Sequence, residues 1–236
     1  MFGIALNAIG ILTGGILGLA KKNPLSSASD EATLRKLMGA LTVFIGLRLV
    51  WMNLSGSFLT ILKHLGIVLL SMTLGKLVGK LLHLQKLSNR IGHRASEKLS
   101  TGTVSRNDGF LVAASLFCVA PLSVLASVDE ALSGFSFAFV IKALTDGLAT
   151  LAFVPRFGGN VLLSILPVVA WQGTFYLGVK ALVPMLIQHD IVWAVNVTNG
   201  FLIFSVALII LQLKKVEVTD YLPSLAIAPL LAYWWK

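Results

Sequence analysis

Apolar residues run through this chain in long uninterrupted stretches, separated by short polar intervals. The stretches cover residues 2–20, 37–54, 58–82, 109–128, 134–154, 160–183, 191–213 and 219–235. A helix of about 20 mainly apolar residues crosses the roughly 30 Å hydrocarbon layer of a bilayer. The pattern predicts an all-α, polytopic transmembrane helical bundle of about eight spans, one domain over residues 1–236 embedded in a lipid bilayer. The last stretch is short and holds Pro223 and Pro229, so seven spans is the fallback count.

The polar intervals sort by charge. The first, third, fifth and seventh hold Lys21, Lys22, Arg35, Lys36, Lys86, Arg90, Arg94, Lys98, Arg106, Arg156, Lys214 and Lys215. The second, fourth and sixth hold almost no base; their charges are Asp129, Glu130 and Asp190. Lysine and arginine concentrate in cytoplasmic loops. The expected arrangement is therefore an N-terminus outside and basic loops in the cytoplasm, with Trp234 and Trp235 at the outer interface.

The third interval, residues 83–108, is the only long one. Leu84, Leu87, Ile91, Ala95 and Leu99 recur at helical spacing, with Lys86, Arg90, Arg94 and Lys98 on other faces. This reads as a cytoplasmic amphipathic connection, either lying on an anionic leaflet or linking two halves as a solvated helix. Its "STGTVSRNDG" tail is the candidate boundary between halves.

Composition supports the class. Charged residues make up 12% of the chain, about half the roughly 25% of an ordinary soluble domain. The net charge of +9 then belongs to loops facing a membrane, and no nucleic-acid partner is expected. Cys118 is the only cysteine, which excludes an internal disulfide. The first stretch begins at Phe2 without a basic leader and reads as a retained span.

Candidate chemistry lies inside the spans. "FAFVIKALTDGLATLAFVP" places Lys142 and Asp146 one helical turn apart, near the centre of the fifth span, with Thr145 and Gly147 beside the acid. Ionisable groups at such depth are expensive and mark ion or substrate pathways; the alternative is a pair that merely neutralises itself. Arg48 and Gln172 fall near the centres of their spans, and Asn7, Asn196 and Asn199 a little toward the outer side. Singly, such amides serve as interhelical glue. Pro121, followed by Ser123 and Ser127, and Pro167 and Asn199-Gly200 interrupt the fourth, sixth and seventh spans. Broken helices near the middle of a bilayer are a recurring transporter device. Gly10, Gly14 and Gly18 recur every fourth residue, as do Gly75 and Gly79. They form faces for close helix approach within a bundle or a homo-oligomer.

The expected candidate set for an ion or small solute is Asp146, Lys142, Thr145, Asn7, Arg48, Ser123, Gln172 and Asn199. No metal site is expected, because His64, His83, His93 and His189 are scattered without ligand spacing. No cofactor or hydrolase motif is present either, and an enzyme is not expected.

Several segments together resemble the bacterial membrane family known as domain of unknown function 554 (YdfK/YqgA type). Its N-A-x-x-I-x-x-G-G-x-x-G opening is resembled by Asn7, Ala8, Ile11, Gly14, Gly15 and Gly18. Its F-C-x-G-A-M-A-I-V-G-S segment is resembled by "FCVAPLSVLAS", with Ala120 and Ala126 in place of glycines and Pro121-Leu122 in place of A-M. Its K-S-x-L-D-G is resembled by Lys142, Ala143, Thr145, Asp146 and Gly147, and its L-P-A-L by Leu222, Pro223, Ser224 and Leu225. The resemblance implies an integral inner-membrane protein.

The residues point to a small secondary transporter or channel for an ion or small solute. The opposite senses of spans one to three and six to eight leave room for an inverted repeat, with "GALTVFIGLRLV" and "GFLIFSVALIIL" as its weak counterparts. The rival reading is a non-transporting membrane assembly or scaffold protein that binds partners through its glycine faces and basic loops.

Overall fold

The computed structural model describes residues 1–20, 28–100 and 108–235. They form α1 (Phe2–Ala20), α2 (Ala28–Asn53), α3 (Phe58–Leu81), α4 (Leu84–Ser100), α5 (Asp108–Val119) and α6 (Pro121–Ser133). These are followed by α7 (Phe137–Phe157), a 3-10 turn (Gly159–Ser164) running into α8 (Ile165–Gln188), α9 (Val192–Ile210), α10 (Val218–Tyr221) and α11 (Ser224–Trp234). The fold is all-α. Lys21, Lys22, Arg106 and residues 101–107 of the expected boundary lie outside the described residues.

Five of these helical segments are long and apolar enough to cross a membrane: α1, α3, α7, the 3-10 turn with α8, and α9. A sixth crossing exists if α5 and α6, bent by 55° at Ala120, count as one broken span. The eight-span pattern thus exceeds what length and composition support. Its second span begins earlier than residue 37, because α2 takes in Asp30, Glu31, Arg35 and Lys36. Its eighth is divided, and the 11 residues of α11 reach only about 17 Å at 1.5 Å per residue.

Small residues set the helix pairs. α1 and α7 run parallel, with Gly3 against Phe139, Gly10 against Ala143, Gly14 against Gly147 and Gly18 against Leu151. A Cβ on Gly14 would collide with the carbonyl oxygen of Gly147, so only glycine permits this spacing. α2 and α9 run antiparallel, from Gly39 against Leu211 to Asn53, which accepts a 2.7 Å hydrogen bond from Asn196. At the middle of that pair the contact is reciprocal. A Cβ on Gly46 would lie 2.8 Å from the carbonyl oxygen of Gly200, and one on Gly200 would lie 2.8 Å from that of Gly46. α3 and α11 are antiparallel too, with Gly75 packed on Ser224.

α6 is the centre of the bundle. Every residue from Leu122 to Ala131 is buried, against α7, α8 and α9. Asp129 and Glu130, expected in an exposed connection, are therefore inside the fold. Glu130 accepts the backbone N–H of Gly3 at 2.6 Å and lies 3.2 Å from the amino group of Met1. The first turn of α1 carries unpaired N–H donors that attract such a carboxylate.

Two expected helix breaks are absent. α9 is continuous through Asn199-Gly200, where the glycine admits α2 rather than ending the helix. Pro167 sits in the first turn of α8, just after the 3-10 turn Gly159–Ser164 passes into it, and α8 continues from there to Gln188. Pro121 does coincide with a break, and starts α6 as its first residue.

Candidate functional site

The site begins with the break at Pro121. Proline has no N–H, so the helix bond that residue 121 would give to the carbonyl four residues earlier cannot form. That carbonyl belongs to Phe117, on the last turn of α5. It accepts a 3.0 Å hydrogen bond from the Lys142 ammonium on α7 instead. Non-helical backbone is tolerated at bilayer depth only where protein or a cavity satisfies it; here a buried cation does so.

The same ammonium binds the Asp146 carboxylate one turn further along α7. It is 2.6 Å from Oδ1 and in closer contact still with Oδ2. Lys142 is 1% and Asp146 5% exposed, so both charges have left solvent, and each depends on the other. The Phe117 ring lies under the ammonium at 5.6 Å. α7 spans Phe137–Phe157, so its middle falls at Gly147. Asp146 adjoins that middle, and Lys142 lies nearer the start of the helix than the expected 134–154 span implied.

α1 completes the cluster. Its close approach over Gly10, Gly14 and Gly147 brings Asn7, fully buried, to the acid. Asn7 Nδ2 donates to Asp146 Oδ2 at 3.2 Å, while Asn7 Oδ1 has no partner. Thr145 does not contribute a hydroxyl to the acid, as its position beside Asp146 suggested. Its Oγ1 donates back to the carbonyl of Lys142 at 2.9 Å, an ordinary helix back-bond.

A second polar group attaches to α6. Gln172 Nε2 donates to Ser123 Oγ at 3.3 Å, and Asn199 Nδ2 donates to the Leu125 carbonyl at 3.0 Å. Gln172 Oε1 and Asn199 Oδ1 are buried without partners. Arg48 belongs to neither group. It is exposed, with its guanidinium 5.0 Å over the Phe137 ring at the start of α7. Because α2 starts at Ala28, residue 48 lies near its end rather than its centre.

Two cavities reach the break. One of about 410 Å³ with mixed lining lies between α4 and the α5–α6 junction, bounded by Ser88, Asn89, His93 and Ser115 together with Leu116, Val119, Ala120 and Pro121. A larger, apolar one of about 970 Å³ touches Cys118, Val119 and Val124 and extends to Tyr233 and Trp234.

Three features escaped the sequence pattern. The Phe117 carbonyl could have been found by counting four residues back from Pro121. Glu130 carried no signal, because the loop assignment placed it outside. Asp220, buried on α10, accepts the N–H of Gln85 at 2.7 Å and so caps the start of α4; its place within an apolar run was the only clue.

The family model described as "Protein of unknown function (DUF554)" matches residues 2–233. The chain belongs to the DUF554 family. It is 28% identical over 233 residues to the uncharacterized membrane protein YdfK of Bacillus subtilis (strain 168), a match covering 99% of this chain and 96% of that protein. No solved structure matches it. The chain is thus a bacterial membrane protein with multiple spans. Three of the segments that resemble DUF554 members meet at the Lys142–Asp146 pair: the opening run through Asn7, which donates to Asp146, the "FCVAP" segment through the Phe117 carbonyl, which accepts from Lys142, and "KALTDG" through the pair itself. The fourth, Leu222–Leu225, packs elsewhere, with Ser224 on Gly75.

Proposed function

We propose that this protein is a small secondary transporter or channel for an ion or small solute, with its polar site around Asp146. The observation that carries this reading is a buried ion pair seated on the broken end of a helix. A scaffold could fill both positions with apolar residues and avoid the desolvation of two charges. Transport proteins use broken helices with facing charges to bind and release ions. The inner membrane is the proposed location, with the N-terminus outside and the basic loops in the cytoplasm. α2, packed along α9, and the α10–α11 pair are proposed to bring the crossings to eight. An inverted relation between the two halves, with α2 antiparallel to α9, belongs to the same proposal.

The test is flux in proteoliposomes carrying the full chain, with sodium, potassium and proton gradients each applied in turn and read by ion-sensitive dyes. The Lys142→Met, Asp146→Asn double variant keeps the net charge of the site and is expected to fold. Flux in the wild type that vanishes in the folded double variant supports the proposal. Wild-type vesicles as tight as protein-free ones would favour the scaffold reading, in which basic loops and glycine faces bind partners.

A further inference from the structure

Three oxygens converge on the Lys142 ammonium, both carboxylate oxygens of Asp146 and the carbonyl of Phe117, and Asn7 joins them through its amide nitrogen, which donates to Asp146 Oδ2. The three oxygens already bind a cation, the lysine's own. The Asn7 amide oxygen is fully buried, next to the acid, and has no partner. Phe117 belongs to the C-terminal turn of α5, whose carbonyl dipoles favour positive charge.

We propose that this seat is an alkali-cation site in which Lys142 is a tethered competitor for the incoming ion. One carboxylate with neutral amide and carbonyl oxygens suits a monovalent ion. Divalent sites gather several carboxylates or hold their ions largely through water and phosphate. Unwound carbonyls and half-helix C-terminal ends supply this kind of ligand set for alkali ions at bilayer depth. The single acid cannot neutralise an ammonium and a metal ion together. Entry of the ion therefore requires the ammonium to leave, and departure of the ion returns it. The lysine keeps Asp146 from standing uncompensated when the seat holds no ion, so the empty site remains folded. The cavity between α4 and the α5–α6 junction reaches Leu116, Ala120 and Pro121, near the Phe117 carbonyl in the chain, and is the side from which the ion would approach.

This inference rests on the transport reading for what the site accomplishes, but binding can be measured without flux. The experiment is thermal unfolding of the purified full chain in detergent, in sodium chloride, potassium chloride or choline chloride at equal ionic strength. Wild type should respond weakly. Lys142→Met leaves Asp146 without a cation and should be destabilised in choline, then rescued by sodium or potassium with an apparent affinity at least about tenfold tighter than wild type. Lys142→Met with Asp146→Asn should be indifferent to the salt. Asn7→Asp, which retains the lysine and adds a second acid, should also gain alkali-dependent stabilisation, and it serves if Lys142→Met fails to accumulate. Equal stability of both Lys142→Met and Asn7→Asp in choline and in both alkali salts would overturn the proposal. Alkali rescue without any wild-type flux would leave the site standing and remove the transport reading. Flux with no alkali effect would do the reverse.

Discussion

Lys142 on α7 donates to the carbonyl of Phe117 on α5 at 3.0 Å, replacing the amide donor that Pro121 cannot supply. A break in one helix and a charge in another are thus one feature. The proline frees the acceptor, the lysine satisfies it, and Asp146 neutralises the lysine. Removing Lys142 or Asp146 alone leaves the other charge buried without its counter-ion, which is costly at low dielectric.

The first prediction follows from that dependence. In alkali-free buffer, Lys142→Met and Asp146→Asn should each lower stability by about 3–5 kcal/mol, the usual cost of breaking a buried pair. The double variant should lose less than either single. Thermal unfolding in detergent measures all three, and losses that simply add would show that the two groups are not coupled.

Helix approach gives the second. Gly14→Leu should abolish accumulation of folded protein, because the side chain would enter the backbone of α7 at Gly147. Gly178→Ala, on α8 with nothing within 4 Å of the new methyl, should be neutral or stabilising by up to about 1 kcal/mol. Fluorescence-detected gel filtration separates the outcomes; equal profiles for both variants would mean the α1–α7 contact is dispensable.

Glu130 supplies the third. Glu130→Ala should cost about 1–3 kcal/mol by leaving the Gly3 N–H without an acceptor, and should expose the start of α1 to aminopeptidase. Glu130→Gln retains an acceptor oxygen and should recover most of the loss. Resistance of the alanine variant equal to wild type would show that the contact does not hold α1 in place.

Orientation gives the fourth. A reporter joined after Arg94 should be cytoplasmic, and one inserted at Gly134, in the exposed turn between α6 and α7, should be external. Activity of both on the same side would contradict the alternating arrangement.

The candidate site was legible in part. Lys142 and Asp146 stood out because charge inside an apolar run has a known cost, and their spacing made the pair readable. Depth and the family-like opening run both point to Asn7, and it does meet Asp146. The same depth argument points to Arg48, which lies elsewhere because the start of α2 falls within a charged segment that hydropathy excludes. Charge ordinarily ends a span, which points Glu130 to a loop; in the structure it caps a neighbouring helix inside the bundle.

Local physics, read along the chain, determined the helical class, the membrane setting, the Pro121 break and the i,i+4 ion pair. Each depends on a residue's own chemistry or on neighbours within a helical turn. Tertiary structure alone decided that glycine brings α1 against α7, that Gly200 is a contact rather than a break, and that Phe117, 25 residues before Lys142, receives its proton donor. Hydropathy reports how much of a helix avoids water, but lipid and protein are nearly equal in that respect. Which face meets which helix is settled by packing and by the pairing of buried polar groups, and those depend on residues far apart in the chain.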